Sequence, residues 1–146
     1  MEYGNFGPED IPAVAALYVA SFNAPPWNDH WTVETASKRL TQMLRRDSAY
    51  GLLAYDEQGL CGLILGDEEQ FYDGAQFQIR EFCVANDRRG QGLGTQIYQE
   101  LEQRLRQRGI SEIVLYTLRH PAAEGFYQRV GMQTSEEIVF MQKRLD

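Results

Sequence analysis

The chain reads as one α/β domain spanning residues 1–146, a mixed central sheet layered between helices, and three observations carry that reading. Apolar residues recur at three- and four-residue steps in some segments and form short strand-like runs in others, the two kinds interleaved along the chain. The run Arg89-Gly90-Gln91-Gly92-Leu93-Gly94 stands between a strand pattern and a helix pattern. A length of 146 residues with 43% hydrophobic and 24% charged content fills a single core, and no repeat, low-complexity tract or linker divides it.

Taken in order, Pro8-Glu9-Asp10 marks a helix start, and Ile11, Val14, Ala15, Tyr18 and Phe22 form its inner stripe. The paired prolines Pro25-Pro26 then forbid helix and, with Trp27 and Trp31, give an aromatic loop over 23–31. A second helix is predicted over 33–46, buried through Ala36, Leu40, Met43 and Leu44. Strand patterns follow at 49–55 and 60–66, joined by the turn Asp56-Glu57-Gln58-Gly59, and the acidic stretch 67–74 reads as a connection. A long strand over 75–85 leads into the glycine run. Leu93, Ile97, Leu101 and Leu105 define a helix over 93–108 that Gly109 stops. A strand over 113–118, a short helix over 121–130 and a last strand over 137–141 complete the pattern.

Bulk composition excludes several function classes. A net charge of −7 gives no electrostatic footprint for nucleic acid, which is bound through clustered Lys and Arg. Cys61 and Cys83 lie in apolar strand patterns without ligands at metal spacing, so reduced core thiols and no metal are expected. Acids at Glu2, Glu9 and Asp10 stand where a secretory leader is basic, and the first apolar stretch is too short to span a bilayer; no membrane association and a cytoplasmic location are the expectation.

The glycine run reads as a phosphate cradle. Glycines let backbone approach a ligand, and the helix that follows aims unpaired N–H groups and a positive dipole end at the same point. The spacing is neither G-x-G-x-x-G with its trailing acid nor G-x-x-x-x-G-K-[ST]. It is R-x-x-G-x-G, from Arg89, Gly92 and Gly94, followed by a strand pattern, then His120-Pro121-Ala122-Ala123-Glu124-Gly125-Phe126-Tyr127, then Gly131-Met132. In that order these features resemble the GCN5-related N-acetyltransferase (GNAT) superfamily over nearly the whole chain, most specifically over 81–132.

The resemblance implies a GNAT-like layered fold, acetyl-CoA as cosubstrate and transfer of acetyl to a primary amine by direct attack in a ternary complex. It implies that the backbone of Phe82, Cys83 and Val84 pairs with the pantetheine arm, with an oxyanion donor near Val84. It further implies that the N–H groups of Arg89, Gly90, Gln91, Gly92, Leu93, Gly94 and Thr95 hold the pyrophosphate. Tyr127 matches the family's general acid; read from spacing alone, Phe126 and Tyr127 are equally core aromatics. His120 stands where the family often has an Asn that contacts the pantetheine arm, and it either replaces that contact or is a solvated helix-start residue.

For the base, Glu81 interrupts the apolar strand and by alternation shares a face with Phe77, Ile79 and Cys83. Burial there raises a carboxyl pKa toward the range useful for taking a proton. The alternative is that Glu81 faces a wet cleft and serves only as an electrostatic partner. Trp27, Asp29, Trp31, Tyr72 and Glu81, acids mixed with aromatics, are the candidate acceptor site and suit a small cationic amine. Solubility and core packing are the plainer uses of the same residues. Cys83 is the only nucleophile near such a thioester by sequence, and an apolar strand gives no sign of an activated thiolate. A protein-amine acetyltransferase and a noncatalytic acyl-CoA sensor remain as rivals. Dimers are common among such folds, so a homodimer is open, with no contact surface legible.

Overall fold

A computed structural model describes residues 1–146, which cluster into two compact units, Met1–Leu115 and Tyr116–Asp146. The first unit holds a five-stranded sheet in the order β1-β2-β3-β4-β5, from Glu2–Asn5, Ala49–Asp56, Gly59–Phe71, Gly74–Val84 and Ile110–Val114. The first four strands form an antiparallel meander, and β5 joins β4 in parallel, which makes the sheet mixed as expected. β1 is an addition that its short, glycine-containing sequence does not signal.

Helices α1 (Ile11–Phe22) and α2 (Val33–Leu44) cover one face. Val14, Ala15, Tyr18 and Phe22 of α1 and Ala36, Leu40 and Met43 of α2 close on Leu53, Leu63, Leu65 and Cys83 of the sheet. Helix α3 (Leu93–Gln107) covers the other: a Cβ on Gly62, the neighbour of Leu63, would lie 2.5 Å from the Ile97 side chain. Thr32 caps α2, its hydroxyl accepting from the Thr35 N–H at 3.0 Å.

The stretch 67–74 is not a connection. β3 continues to Phe71 and turns at once into β4, and two of its acids are paired with arginines. Asp67, 4% exposed, accepts from Arg80 Nε at 2.8 Å and from Arg46 at 3.3 Å, and Glu68 meets Arg108 at 3.4 Å. Alternation also fails at one place. The register pairs Leu65 with Glu81 but Gly66 with Ile79, so Arg80 is an inserted residue, a β-bulge. Residues directly opposite share a face. Glu81 and Cys83 therefore lie with Leu65 and Leu63 toward α1 and α2, whereas Phe77 and Ile79 lie on the α3 side, which corrects the single face expected for all four. Gly66 makes the bulge feasible, since a Cβ there would come within 2.1 Å of the Gln78 carbonyl oxygen.

β5 begins immediately after Gly109, at Ile110, and ends at Val114, earlier than the 113–118 expected. In the second unit, α4 is short (Glu124–Arg129), and 137–141 is not a strand. The Ser135 hydroxyl accepts from the N–H groups of Glu137 and Ile138, a local turn that competes with extended pairing. Ile138, Val139, Phe140 and Met141 are consequently 65–82% exposed.

Candidate active site

The bulge aims Glu81 into the layer between sheet and helices. Glu81 is 6% exposed; the Tyr18 hydroxyl donates to Oε1 at 3.0 Å, and Arg39 Nε of α2 donates to the same oxygen. Burial raises the Glu81 pKa, while Arg39 and Tyr18 oppose the rise by favouring the charged form and nearby Asp29 adds to it. Tyr18 is itself pushed far up by burial and by the Glu81 charge, so its hydroxyl keeps its proton and donates. A carboxylate in this position is held ready to accept a proton, with one oxygen already organised.

Around this centre the structure brings together some of the predicted acceptor residues. Trp31 meets the Tyr18 ring edge-on at 5.0 Å and donates from Nε1 to Asp29 at 3.0 Å. Trp27 is one ring further out, against Phe22 at 5.2 Å, where it also carries the Arg89 guanidinium at 5.4 Å. Both tryptophans thus pack on the core they border. Tyr72 is fully exposed at the β3–β4 turn; from Leu65, opposite Glu81, to Phe71, opposite Gly74, β3 runs six residues, roughly 20 Å. It is not part of this centre. Tyr18 and Arg39, which are, gave no sequence signal beyond lying on and beside the inner stripes of α1 and α2.

The end of β4 points backbone where a ligand can use it. Ala85 N–H bonds the Cys61 carbonyl at 2.8 Å, which makes that pair and Cys83–Leu63 the hydrogen-bonded ones; the N–H and C=O of Val84 are directed to the opposite edge. The parallel ladder with β5 ends at Gln78–Val114, short of that point. The Val84 carbonyl accepts from the Ser21 hydroxyl at 3.3 Å, which leaves its N–H as the group facing outward along this edge. Cys83, 5% exposed, has its thiol pushed up to about 12 by burial and is no nucleophile at neutral pH.

Beyond β4, Gly90 and Gly92 take left-handed φ of 79° and 77°, and the space where their Cβ atoms would stand is open to 4 Å. Gly92 caps α3, and Gln96 N–H bonds back to the Gly92 carbonyl at 3.2 Å. The N–H groups of Leu93, Gly94 and Thr95 thus precede the first helical bond and sit at the positive end of a 15-residue helix. That cradle fits a diphosphate. Arg89 contributes differently from expectation: its own N–H goes to the Asn86 carbonyl at 3.4 Å, and its guanidinium goes to the carbonyls of Ser21 and Pro25 at 3.2 and 3.1 Å. Arg88 holds both Asp56 oxygens at 3.0 Å. Both arginines brace the loop.

In the second unit, the His120 Nδ1 accepts from the Ala122 N–H at 3.0 Å and its carbonyl from Ala123 and Gly125, so this imidazole starts the turn into α4. Tyr127 lies on α4 with its ring edge-on to Phe126 at 5.2 Å, and its carbonyl accepts from Met132 at 2.9 Å.

The fold is shared with solved acetyltransferases. A possible acetyltransferase from Clostridium difficile 630 superposes with a TM-score of 0.82 at 12% identity, over 99% of this chain and 98% of that one. A ribosomal-protein-alanine N-acetyltransferase from Brucella melitensis gives 0.78 at 16% identity, over 98% and 100%. An aminoglycoside 6'-N-acetyltransferase from Acinetobacter haemolyticus gives 0.76 at 17% identity, over the whole of both chains. A comparison with curated protein sequences finds no match. The sequence pattern of the acetyltransferase (GNAT) family covers residues 11–132, from α1 through the glycine cradle to the step after α4. The chain belongs to the acetyltransferase (GNAT) family and is an acetyl-CoA-dependent N-acetyltransferase.

Proposed function

We propose that the chain moves acetyl from acetyl-CoA directly to the primary amine of a small acceptor, cationic at its reacting end, within a ternary complex. The observation that carries this is the carboxylate of Glu81: buried, aimed by the bulge and set on the strand that runs into the cradle. In this reading Glu81 takes the ammonium proton, directly or through a water, the Val84 N–H supports the developing oxyanion, and Tyr127 returns a proton to the departing thiolate. The backbone of Phe82, Cys83 and Val84 lies along the pantetheine arm, and Gly90 to Thr95 hold the diphosphate. His120 borders that arm. A high Cys83 pKa supports direct attack over an acyl-enzyme.

Asp29 and Trp31 beside Glu81 support a site for an ammonium group, with Trp27 at its margin. We take residues 1–146 as one catalytic domain, as the span of the family match across both units supports. A charge of −7 supports neither nucleic acid nor an anionic membrane as partner, no helix is long and apolar enough to cross a membrane, and dependence on acetyl-CoA supports the cytoplasm. The exposed apolar run of Ile138, Val139, Phe140 and Met141 supports a homodimer.

Acceptor-dependent release of CoA thiol over a panel of small amines and peptide amines tests the proposal. Turnover of small amines is expected. Turnover of peptide amines alone would make the protein-amine reading the right one, and acetyl-CoA binding without turnover on any amine would make the chain a sensor.

A further inference from the structure

We infer that the acceptor carries a carboxylate beside its amine, and that Arg39 is the residue that reads it. This rests on the proposed function and narrows its substrate class to amino acids and related amino-carboxylates. Arg39 donates from Nε to Glu81 Oε1 and also meets the Tyr18 hydroxyl, yet its side chain is 39% exposed where that of Glu81 is 7%. The guanidinium is a planar fork in which one Nη shares the edge of Nε, so that edge is given to Glu81 and the neighbouring Tyr18, and the outer Nη–Nη edge is the part of this 39% exposed side chain that remains for a ligand. The base therefore opens to its substrate next to a fixed positive charge.

That arrangement is unsuited to a simple polycation. Arg39 and Glu81 together are close to neutral, and an ammonium group that approaches Glu81 meets the like charge of Arg39 at hydrogen-bonding range. Two of the acids that could have drawn in a polycation are engaged elsewhere: Asp67 lies between Arg80 and Arg46, and Glu68 meets Arg108. An amino-carboxylate removes the conflict. Its carboxylate takes the outer edge of the Arg39 fork, in the paired geometry this side chain favours, and its ammonium then lies over the Glu81 carboxylate with Asp29 nearby. The two charges of the acceptor complement the two of the protein in the same order. No bond to Arg39 changes during transfer: the ammonium gives one proton to Glu81 and attacks as the neutral amine, and as the C–S bond breaks to leave the amide, the nitrogen loses its second proton while Tyr127 protonates the departing thiolate and is reprotonated in turn.

Matched acceptors test this: α-amino acids against the amines that remain when the carboxylate is removed, scored by kcat/KM from thiol release. The native enzyme is expected to prefer the amino acid by at least about tenfold, the least that a charge-assisted pair distinguishes. Arg39→Gln should raise KM for the amino acid about tenfold and level the preference, with KM for acetyl-CoA unchanged. Should Arg39→Gln fail to fold around an unpaired Glu81, Arg39→Lys, which keeps the charge and loses the fork, should retain part of the preference. A native preference for the decarboxylated amine, or an equal loss on both acceptors in either variant, would overturn the role of Arg39 while leaving amine acetylation intact. Absence of turnover on every amine would overturn the function itself.

Discussion

The glycine cradle and the Glu81 centre are consecutive along the chain yet built on opposite principles. The cradle is made of backbone: two left-handed glycines and the first turn of α3 present N–H groups, and the arginines beside it are used to brace the loop. The Glu81 centre works with side chains whose charges are held by partners 63 and 42 residues away, Tyr18 and Arg39. A backbone donor cannot be neutralised by a neighbouring ion pair, so the cradle's affinity depends on shape. A buried carboxylate has no meaning without its neighbours, so the chemistry depends on packing.

Gly92→Asp attacks the first principle and should have the largest effect. It forces a side chain onto a residue at φ 77° and puts an anion in the cradle. Calorimetry should show acetyl-CoA affinity lowered on the order of 100-fold, with about 1–2 kcal/mol of folding stability lost. Retained affinity would mean that the diphosphate is held elsewhere. Glu81→Gln attacks the second, and kcat should fall by about 10² or more while acetyl-CoA still binds. In the proposed mechanism the basic form of Glu81 is the active one. Because burial raises its pKa, kcat/KM should begin to fall at a pH above the ordinary glutamate range and drop about tenfold per unit below that point, a limb that Glu81→Gln removes. An unchanged limb would reduce Glu81 to electrostatics.

Tyr127→Phe should slow transfer by about tenfold or more with acetyl-CoA affinity intact, since a phenol is one donor among the groups that can protonate a thiolate. Unchanged turnover would remove it as the acid. The smallest effects sharpen the contrast from the other side. Arg89→Ala removes bonds to Ser21 and Pro25 and the contact with Trp27, so thermal stability should fall by a few degrees while acetyl-CoA affinity shifts less than about threefold. A large affinity loss would return Arg89 to the diphosphate site. Cys83→Ala should cost about 1 kcal/mol of stability and leave turnover near native, as a thiol at about 12 predicts.

Legibility followed the same division. The helices with clear three- and four-residue stripes, the glycine turn that opens α3 and the mixed sheet could be read directly, because each is a local pattern. Asp67 to Phe71 was obscured because three acids in succession look like a solvated turn, and the partners of the first two, Arg80 on β4, Arg46 after α2 and Arg108 after α3, are brought near only by folding. The strand pattern at 137–141 was misleading for the converse reason: alternation specifies a face and supplies no partner ladder. Glu81 was conspicuous as an acid in an apolar run, but the bulge that turns it away from Ile79 lies in a register set by two strands together.

What the amino-acid order determined on its own is the backbone's freedom: where glycine permits a left-handed turn, where a helix must begin, and hence where an anion can be met by N–H groups. What the tertiary structure alone decided is the environment of charge: which carboxylate loses its water, which arginine answers it and which side chain keeps its proton. Backbone geometry is settled within a few residues, whereas desolvation and Coulomb attraction act through space between segments the chain brings together only by folding.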